Sequence, residues 1–199
     1  MKRNSRPSTA ERGSSPPGAG AIVVLGLDPG TLVTGFGVVG RTGGRMTMLE
    51  CGSIRNRAGT PMASRLRKIH DELCAVIERH RPDEFAIESA FYGKNAQSAL
   101  KLGHARGAAM LAAVRQGLGS TEYSPREVKK AVTGSGTSSK AQVRYMVRSI
   151  LAMGNAPLGL DESDALAIAI CHMHRLAGPA ARHRNWASYV AAHPERVAS

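Results

Sequence analysis

The sequence predicts an α/β fold built on a mixed sheet. Three observations predict it. Three strand-like runs follow one another at the start, with a Gly43-Gly44 turn between the second and third. Two later strand-like runs are separated by helical patterns rather than by hairpins. The first run, Ala21 to Leu27, is continuously apolar, as in a strand covered on both faces. Sequential strands followed by alternating helix and strand give a sheet with both antiparallel and parallel pairs.

Each element has its own signal. Asp28-Pro29-Gly30 ends the first strand. Thr34 to Val39 and Arg45 to Ser53 read as the next two, joined by the Gly-Gly hairpin. Thr60-Pro61 reads as an N-cap with proline at the first helical position, and Met62, Leu66, Ile69, Leu73 and Ile77 keep helical spacing up to Arg81-Pro82. Glu84 to Glu88 is a fourth strand. Asn95 caps a long helix to about Gly117, in which Ala99, Gly103 and Gly107, and Ala108 and Ala112, recur at i,i+4. Small residues at that spacing permit close helix approach, and packing within the chain is preferred over packing across a dimer. Thr121 to Tyr123 is the fifth strand. Ser124-Pro125-Arg126-Glu127 is a capping box that opens a helix. After the Gly134 to Thr137 loop, Val143, Met146, Val147, Ile150 and Leu151 form one apolar stripe of a helix over 139–153, ended by Gly154. A last, strongly apolar helix runs from Asp161 to about Arg175.

Length and composition fit one domain over 21–178, between a basic arm at 1–20 expected to be disordered and a basic tail at 179–199. The chain has 199 residues, of which 27 are Lys or Arg and 15 Asp or Glu, for a formal charge of +12. That excess points to a polyanionic partner, most often nucleic acid. Aromatic residues make up only 4%, which argues against a broad base-stacking platform. Cys51, Cys74 and Cys171 form no CxxC pair, which suits a reducing cytoplasm. No apolar run reaches the length of a membrane span and no cleavable leader is visible, so no membrane role is expected.

Four acids stand where acids are costly. Asp28 closes the first buried strand and Glu88 the fourth. If those strands are parallel neighbours, both carboxylates leave the same sheet edge, where ligands of open α/β sheets collect. Asp161 and Asp164 are three apart at the head of an otherwise apolar helix and share one face. Gathered carboxylates repel and lose solvation, a cost a divalent cation removes. Oxygen donors without a His or Cys cluster select Mg²⁺ or Mn²⁺ over Zn²⁺, and two such ions about 4 Å apart suit phosphodiester hydrolysis. Lys140, Arg144 and Arg148 form a basic ridge at i,i+4 that is expected to meet phosphate. His172 and His174, two apart on a helix, make a poor zinc pair.

Five segments, in order and spacing, resemble the RuvC-type Holliday-junction resolvases. They are Gly26-Leu27-Asp28-Pro29-Gly30 with Thr34-Gly35-Phe36-Gly37, then Phe85-Ala86-Ile87-Glu88, then Lys94 to Gly103, then Asp161 to Ala169. The likeness runs from Ile22 to His174. It implies a ribonuclease H-like fold with a mixed five-stranded sheet flanked by helices, a homodimer, and a Mg²⁺-dependent endonuclease that makes paired symmetric nicks in a four-way DNA junction. It implies two Mg²⁺ per active site, replaceable by Mn²⁺, held by Asp28, Glu88, Asp161 and Asp164. It marks Phe91 as an aromatic that inserts at the junction, with Tyr92 and Lys94 beside it, and Lys129 and Lys140 as phosphate contacts. A branch-migration motor complex is the implied partner. The arm before Ala21 is longer than the family's usual start. An actin-like ATP-binding lobe shares the Asp-x-Gly-Thr turn, but no second phosphate loop or GxxxxGK[ST] is present. An RNA-directed nuclease and a non-catalytic junction binder are the other rivals.

Overall fold

A computed structural model of the chain describes residues 21–89 and 96–177. The arm at 1–20, the tail at 179–199 and the Asn95 cap lie outside the described residues. The elements are β1 (Ile22–Asp28), β2 (Val33–Thr42), β3 (Arg45–Arg55), α1 (Met62–His80), β4 (Glu84–Glu88), α2 (Ala96–Arg115), β5 (Ser120–Tyr123), α3 (Pro125–Thr133), α4 (Lys140–Ile150) and α5 (Leu160–Ala177). The sheet order is β3-β2-β1-β4-β5. β1–β2 and β2–β3 pair antiparallel, while β1–β4 and β4–β5 pair parallel. This is the mixed five-stranded sheet that the order of elements predicts. β1, β3, β4 and β5 therefore all end at one edge.

Strand alternation divides the sheet into two faces. Val23, Leu25, Leu27, Phe36, Val38, Phe85 and Ile87 point to one face and pack with Ile69, Leu73 and Val76 of α1 and Ala105, Ala109 and Ala112 of α2. Val24, Val39 and Ala86 point to the other, under Leu166, Ala167, Ile170 and Met173 of α5, with Val128 and Val132 of α3 and Val143 and Val147 of α4 around them. Asp28 follows Val24 and Gly26 onto the α5 face, and Glu88 follows Ala86 there.

Three glycines explain how closely α5 lies on the sheet. A Cβ at Gly26 would sit inside the backbone of Ala165 and Ala169, and one at Gly35 inside that of Asp161. A Cβ at Gly37 would meet Leu166 at 2.7 Å. The missing side chains form a furrow across β1 and β2, and the helix backbone rests in it.

Local boundaries differ from the sequence reading in three places. Pro61 itself takes the N-cap position of α1 without a side-chain cap, and Arg65 N donates to its carbonyl at 3.1 Å. Thr60 thus stays outside the helix. α4 stops at Ile150 with Leu151 as C-cap, short of 153, and a turn with Ala152 and Gly154 at positive φ follows. In α2 the core face holds Ala105, Ala109, Ala112 and Ala113, whereas Gly103 and Gly107 are exposed and have nothing around them. Among the described residues nothing packs on that half of the small-residue pattern. The capping box at Ser124 forms as read, and a second, at Ser139 and Gln142, starts α4. All three cysteines are free, and no helix among the described residues is long and apolar enough to cross a membrane.

Candidate active site

β1 and β4 are in parallel register, with Leu27 opposite Ile87. Asp28 and Glu88 are the next residues on the two strands, so their carboxylates leave the same edge on the same face. α5 begins above them. Because Gly35 is level with Asp28 in the β1–β2 ladder and lies against the Asp161 backbone, the head of α5 is fixed over the end of β1. Asp161 and Asp164 then overhang that edge, one turn apart. Glu162, between them, turns away to β3, where Ser53 donates to its Oε1.

The four acids feel one another. Asp28 is pushed up from the ordinary 3.8 to about 7, first by burial, then by Glu88, Asp164 and Asp161, against the pull of Lys140. Glu88 is also raised, by burial and then by Asp164, while Lys140, Arg106 and Lys129 lower it. Lys140, at the first turn of α4, donates to Asp164 Oδ2 at 2.7 Å, and that bond holds the ammonium charged. Among the described residues no three His, Cys, Asp or Glu side chains close into a ready-made cage. The donor set still fits a hard divalent cation. Its ligands are carboxylate oxygens alone, and their shared negative charge, which raises Asp28 and Glu88, is what such an ion neutralises.

The other sequence candidates divide. Lys129 and Lys140 both act electrostatically on Glu88 and so lie beside the acids. Phe91, Tyr92 and Lys94 lie outside the described residues. Arg144 is half-buried on α4. Arg148, one turn further along α4, has a structural role as well. Its guanidinium donates to the carbonyls of Gly154, at 3.3 Å, and Ala156, and so fastens the turn after α4. α4 ends at Ile150, so the carbonyls of the turn that follows lie within reach of the guanidinium.

Sequence reasoning missed three features. Arg55, at the end of β3, places its guanidinium 3.8 Å from Asp161 Oδ2. It heads a groove of about 470 Å³ between the β3–α1 loop and α1, whose lining includes Arg57, Arg67 and Lys68. Lys68 donates to the Arg55 carbonyl at 2.8 Å, and Asn56 donates to the Thr31 carbonyl at 3.1 Å, so the loop is pinned. No local pattern marks this groove, because it exists only once β3 lies parallel to β1 two strands away. Arg106 of α2 is the second feature: it is 8% exposed, donates to the Glu88 carbonyl and pairs with Glu122 at 2.8 Å. The third is a buried contact at the other end of α5. The Tyr123 hydroxyl meets His172 Nδ1 at 2.8 Å, and His172 Nε2 lies 3.5 Å from Glu84 Oε2.

Comparison with known proteins agrees with this geometry. Residues 24–172 match the family model described as crossover junction endodeoxyribonuclease RuvC. The chain is 48% identical over 153 residues to the protein of that name from Pelotomaculum thermopropionicum, covering 77% of this chain and 93% of the relative. It is 45% identical over 177 residues to that from Salinibacter ruber, covering 88% and 99%. Among solved structures, Thermus thermophilus RuvC in complex with a Holliday junction substrate superposes with a TM-score of 0.73 at 36% identity, over 76% of this chain and 93% of that one.

Proposed function

Because the chain belongs to the RuvC family, it is a crossover junction endodeoxyribonuclease of ribonuclease H-like fold that resolves Holliday junctions in recombination and repair, and we propose that Asp28, Glu88, Asp161 and Asp164 carry the cleavage. The observation that supports this assignment is the convergence of acids from β1, β4 and α5 on one sheet edge, where burial and mutual repulsion push Asp28 up to about 7.

The family is metal-dependent, and the four carboxylates are the proposed ligands of two Mg²⁺, with Mn²⁺ able to replace them. When bound, the cation supplies Lewis acidity that lowers the pKa of water and neutralises charge on the departing oxygen. The chain's own residues do the rest. Asp28 and Glu88 present their carboxylates from rigid strand ends, which keeps the donor geometry stiff. Asp161 and Asp164 close the site from above, on a helix whose height is set by glycine. Lys140 and Lys129 supply the positive charge that holds a scissile phosphate against so many acids. Hydrolysis leaves a 5′-phosphate and a 3′-hydroxyl.

Junction DNA is the proposed ligand of both basic flanks. Lys129 and Lys140 stand beside the acids, with Arg144 one turn further along α4, and Arg55 meets Asp161 at the head of the groove that Arg57, Arg67 and Lys68 line with Asp71 and Glu72. Phe91, Tyr92 and Lys94 complete the proposed contacts. A homodimer is proposed across α2. Leu100, Leu111 and Val114 are 62%, 55% and 60% exposed, and at helical spacing they share a face with exposed Gly103, His104 and Gly107. An apolar face with close-approach glycines at its centre suits a second copy of itself, and a two-fold dimer matches the two-fold symmetry of a junction. A branch-migration motor complex in the cytoplasm is the proposed partner.

Cleavage of a labelled four-way junction, by wild type and Asp28→Asn, with Mg²⁺ and with EDTA, tests the reading. Paired symmetric nicks that vanish in EDTA and in the variant, with junction binding retained, are expected. Binding without nicking under any divalent metal would leave a junction-binding protein instead, and stronger binding to structured RNA would leave an RNA-directed one.

A further inference from the structure

We infer that Arg106 is a positioning residue for Glu88, setting through the Glu88 carbonyl the direction in which that carboxylate meets metal. The inference rests on the proposed role of Glu88 as a ligand and extends it to a side chain that touches neither metal nor substrate.

Arg106 is one of the few charged residues buried in the described fold, at 8% exposure. A guanidinium leaves water only where its donors are met, because an unpaired buried charge is costly. Two partners meet them here. One nitrogen donates to the main-chain carbonyl of Glu88, the last residue of β4. The other pairs with Glu122 of β5 at 2.8 Å. Glu122 is half-exposed and remains in reach of water. The carbonyl bond is what brings the charge inside.

The position of that carbonyl matters. β4 ends at Glu88, so the peptide that follows it is held by the bonds at its two ends. Ser89 N is tied to the Tyr123 carbonyl at 2.8 Å, on the β5 side. Arg106 ties the Glu88 carbonyl from below, in α2. Between them the two bonds fix the peptide that follows Glu88, and with it the backbone angle from which the carboxylate projects. Displacement of that peptide would shift the end of β4, and with it the Cα from which the Glu88 carboxylate projects, relative to the end of β1 where Asp28 stands. The field of the guanidinium also reaches the carboxylate, and it is among the charges that lower Glu88 against burial. Residues that orient a metal ligand from behind typically change metal affinity 10- to 100-fold when removed.

The test is Mn²⁺ binding by calorimetry to the full chain, for wild type, Arg106→Met, Arg106→Lys, Glu88→Gln and the Arg106→Met/Glu88→Gln double variant, each checked by thermal melting. Arg106→Met is expected to weaken Mn²⁺ about tenfold or more and to lower kcat on a junction with junction affinity unchanged. Arg106→Lys, which keeps the charge but places its donors on a single nitrogen, is expected to recover part of the loss. In the Glu88→Gln background Arg106→Met is expected to cost nothing further, because the group it orients is gone. A folded Arg106→Met or Arg106→Lys that binds Mn²⁺ as wild type does, or an undiminished effect in the Glu88→Gln background, overturns the inference. If Arg106→Met does not fold, Arg106→Lys decides the question alone. Failure of the underlying site reading looks different: Glu88→Gln itself would then bind Mn²⁺ like wild type.

Discussion

Replacing Asp28 by Asn is expected to stabilise the metal-free protein while abolishing cleavage. The magnitude follows from the raised carboxyl. In the unfolded chain this acid ionises near 3.8, and in the fold near 7. Between those values the native state binds the extra proton, so stability falls as pH rises from 4 to 7 and is flat above. At about 1.4 kcal/mol per pH unit, the full cost of an ionised Asp28 is about 4 kcal/mol at pH 8. Part of that is shared with Glu88, Asp161 and Asp164, so a gain of about 2–4 kcal/mol is expected, or about 5–10 °C for a domain of this size. At pH 5 the gain shrinks to about 1–2 kcal/mol, because wild type is then mostly protonated. Thermal melting of both proteins in EDTA at pH 5 and pH 8 measures it. Mg²⁺ should reverse the order, since only wild type gains from binding. An Asn variant no more stable than wild type at pH 8 without metal, or a gap that ignores pH, would refute the reasoning.

Three further outcomes are expected. Arg57→Glu with Arg67→Glu should leave melting unchanged but lower the slope of log binding constant against log salt by about 0.9 for each lost phosphate contact, measured by junction binding across a salt series; an unchanged slope would remove the groove from the DNA path. Gly26→Ala should cost about 2–3 kcal/mol in urea unfolding, because its methyl group meets the α5 backbone and not a pliable side chain, and any folded fraction should fail to nick. Burial holds His172 below the ordinary imidazole range. The unfolded state therefore takes up its proton first, and the fold loses stability as pH falls through about 6.5. This slope is opposite in sign to that of Asp28. His172→Gln should flatten that part of the curve, and the difference in melting temperature between the two proteins from pH 5 to pH 7.5 isolates it.

The fold was legible wherever a signal is local. The apolar run before Asp28, the Gly43-Gly44 turn and the Ser124 capping box each report on residues a few positions apart, and each element is present. The acids were legible because strand ends and an apolar helix are unnatural places for charge. What was hidden depends on pairing between distant segments. Gly26, Gly35 and Gly37 read as motif letters, and nothing in their spacing says that a helix more than a hundred residues later uses the space above them. Arg55 becomes a neighbour of Asp161 only because β2 reverses the chain twice. Arg106 looks like one more charge on an amphipathic helix until Glu122 and the Glu88 carbonyl are brought beneath it. The contacts of Arg148 have the same origin: its guanidinium reaches the carbonyls of Gly154 and Ala156 only because α4 stops at Ile150.

The furrow in β1 and β2 is made by the first part of the chain and filled by the last. A growing polypeptide lays down Asp28 early and Glu88 midway, but the seat above them stays vacant until Leu160–Ala177 has been synthesised and released. Until then the strand face bearing Val24, Val39 and Ala86 is bare, and two of the four acids do not yet exist. A chain cut short before α5 lacks Asp161 and Asp164 and the helix that fills the furrow.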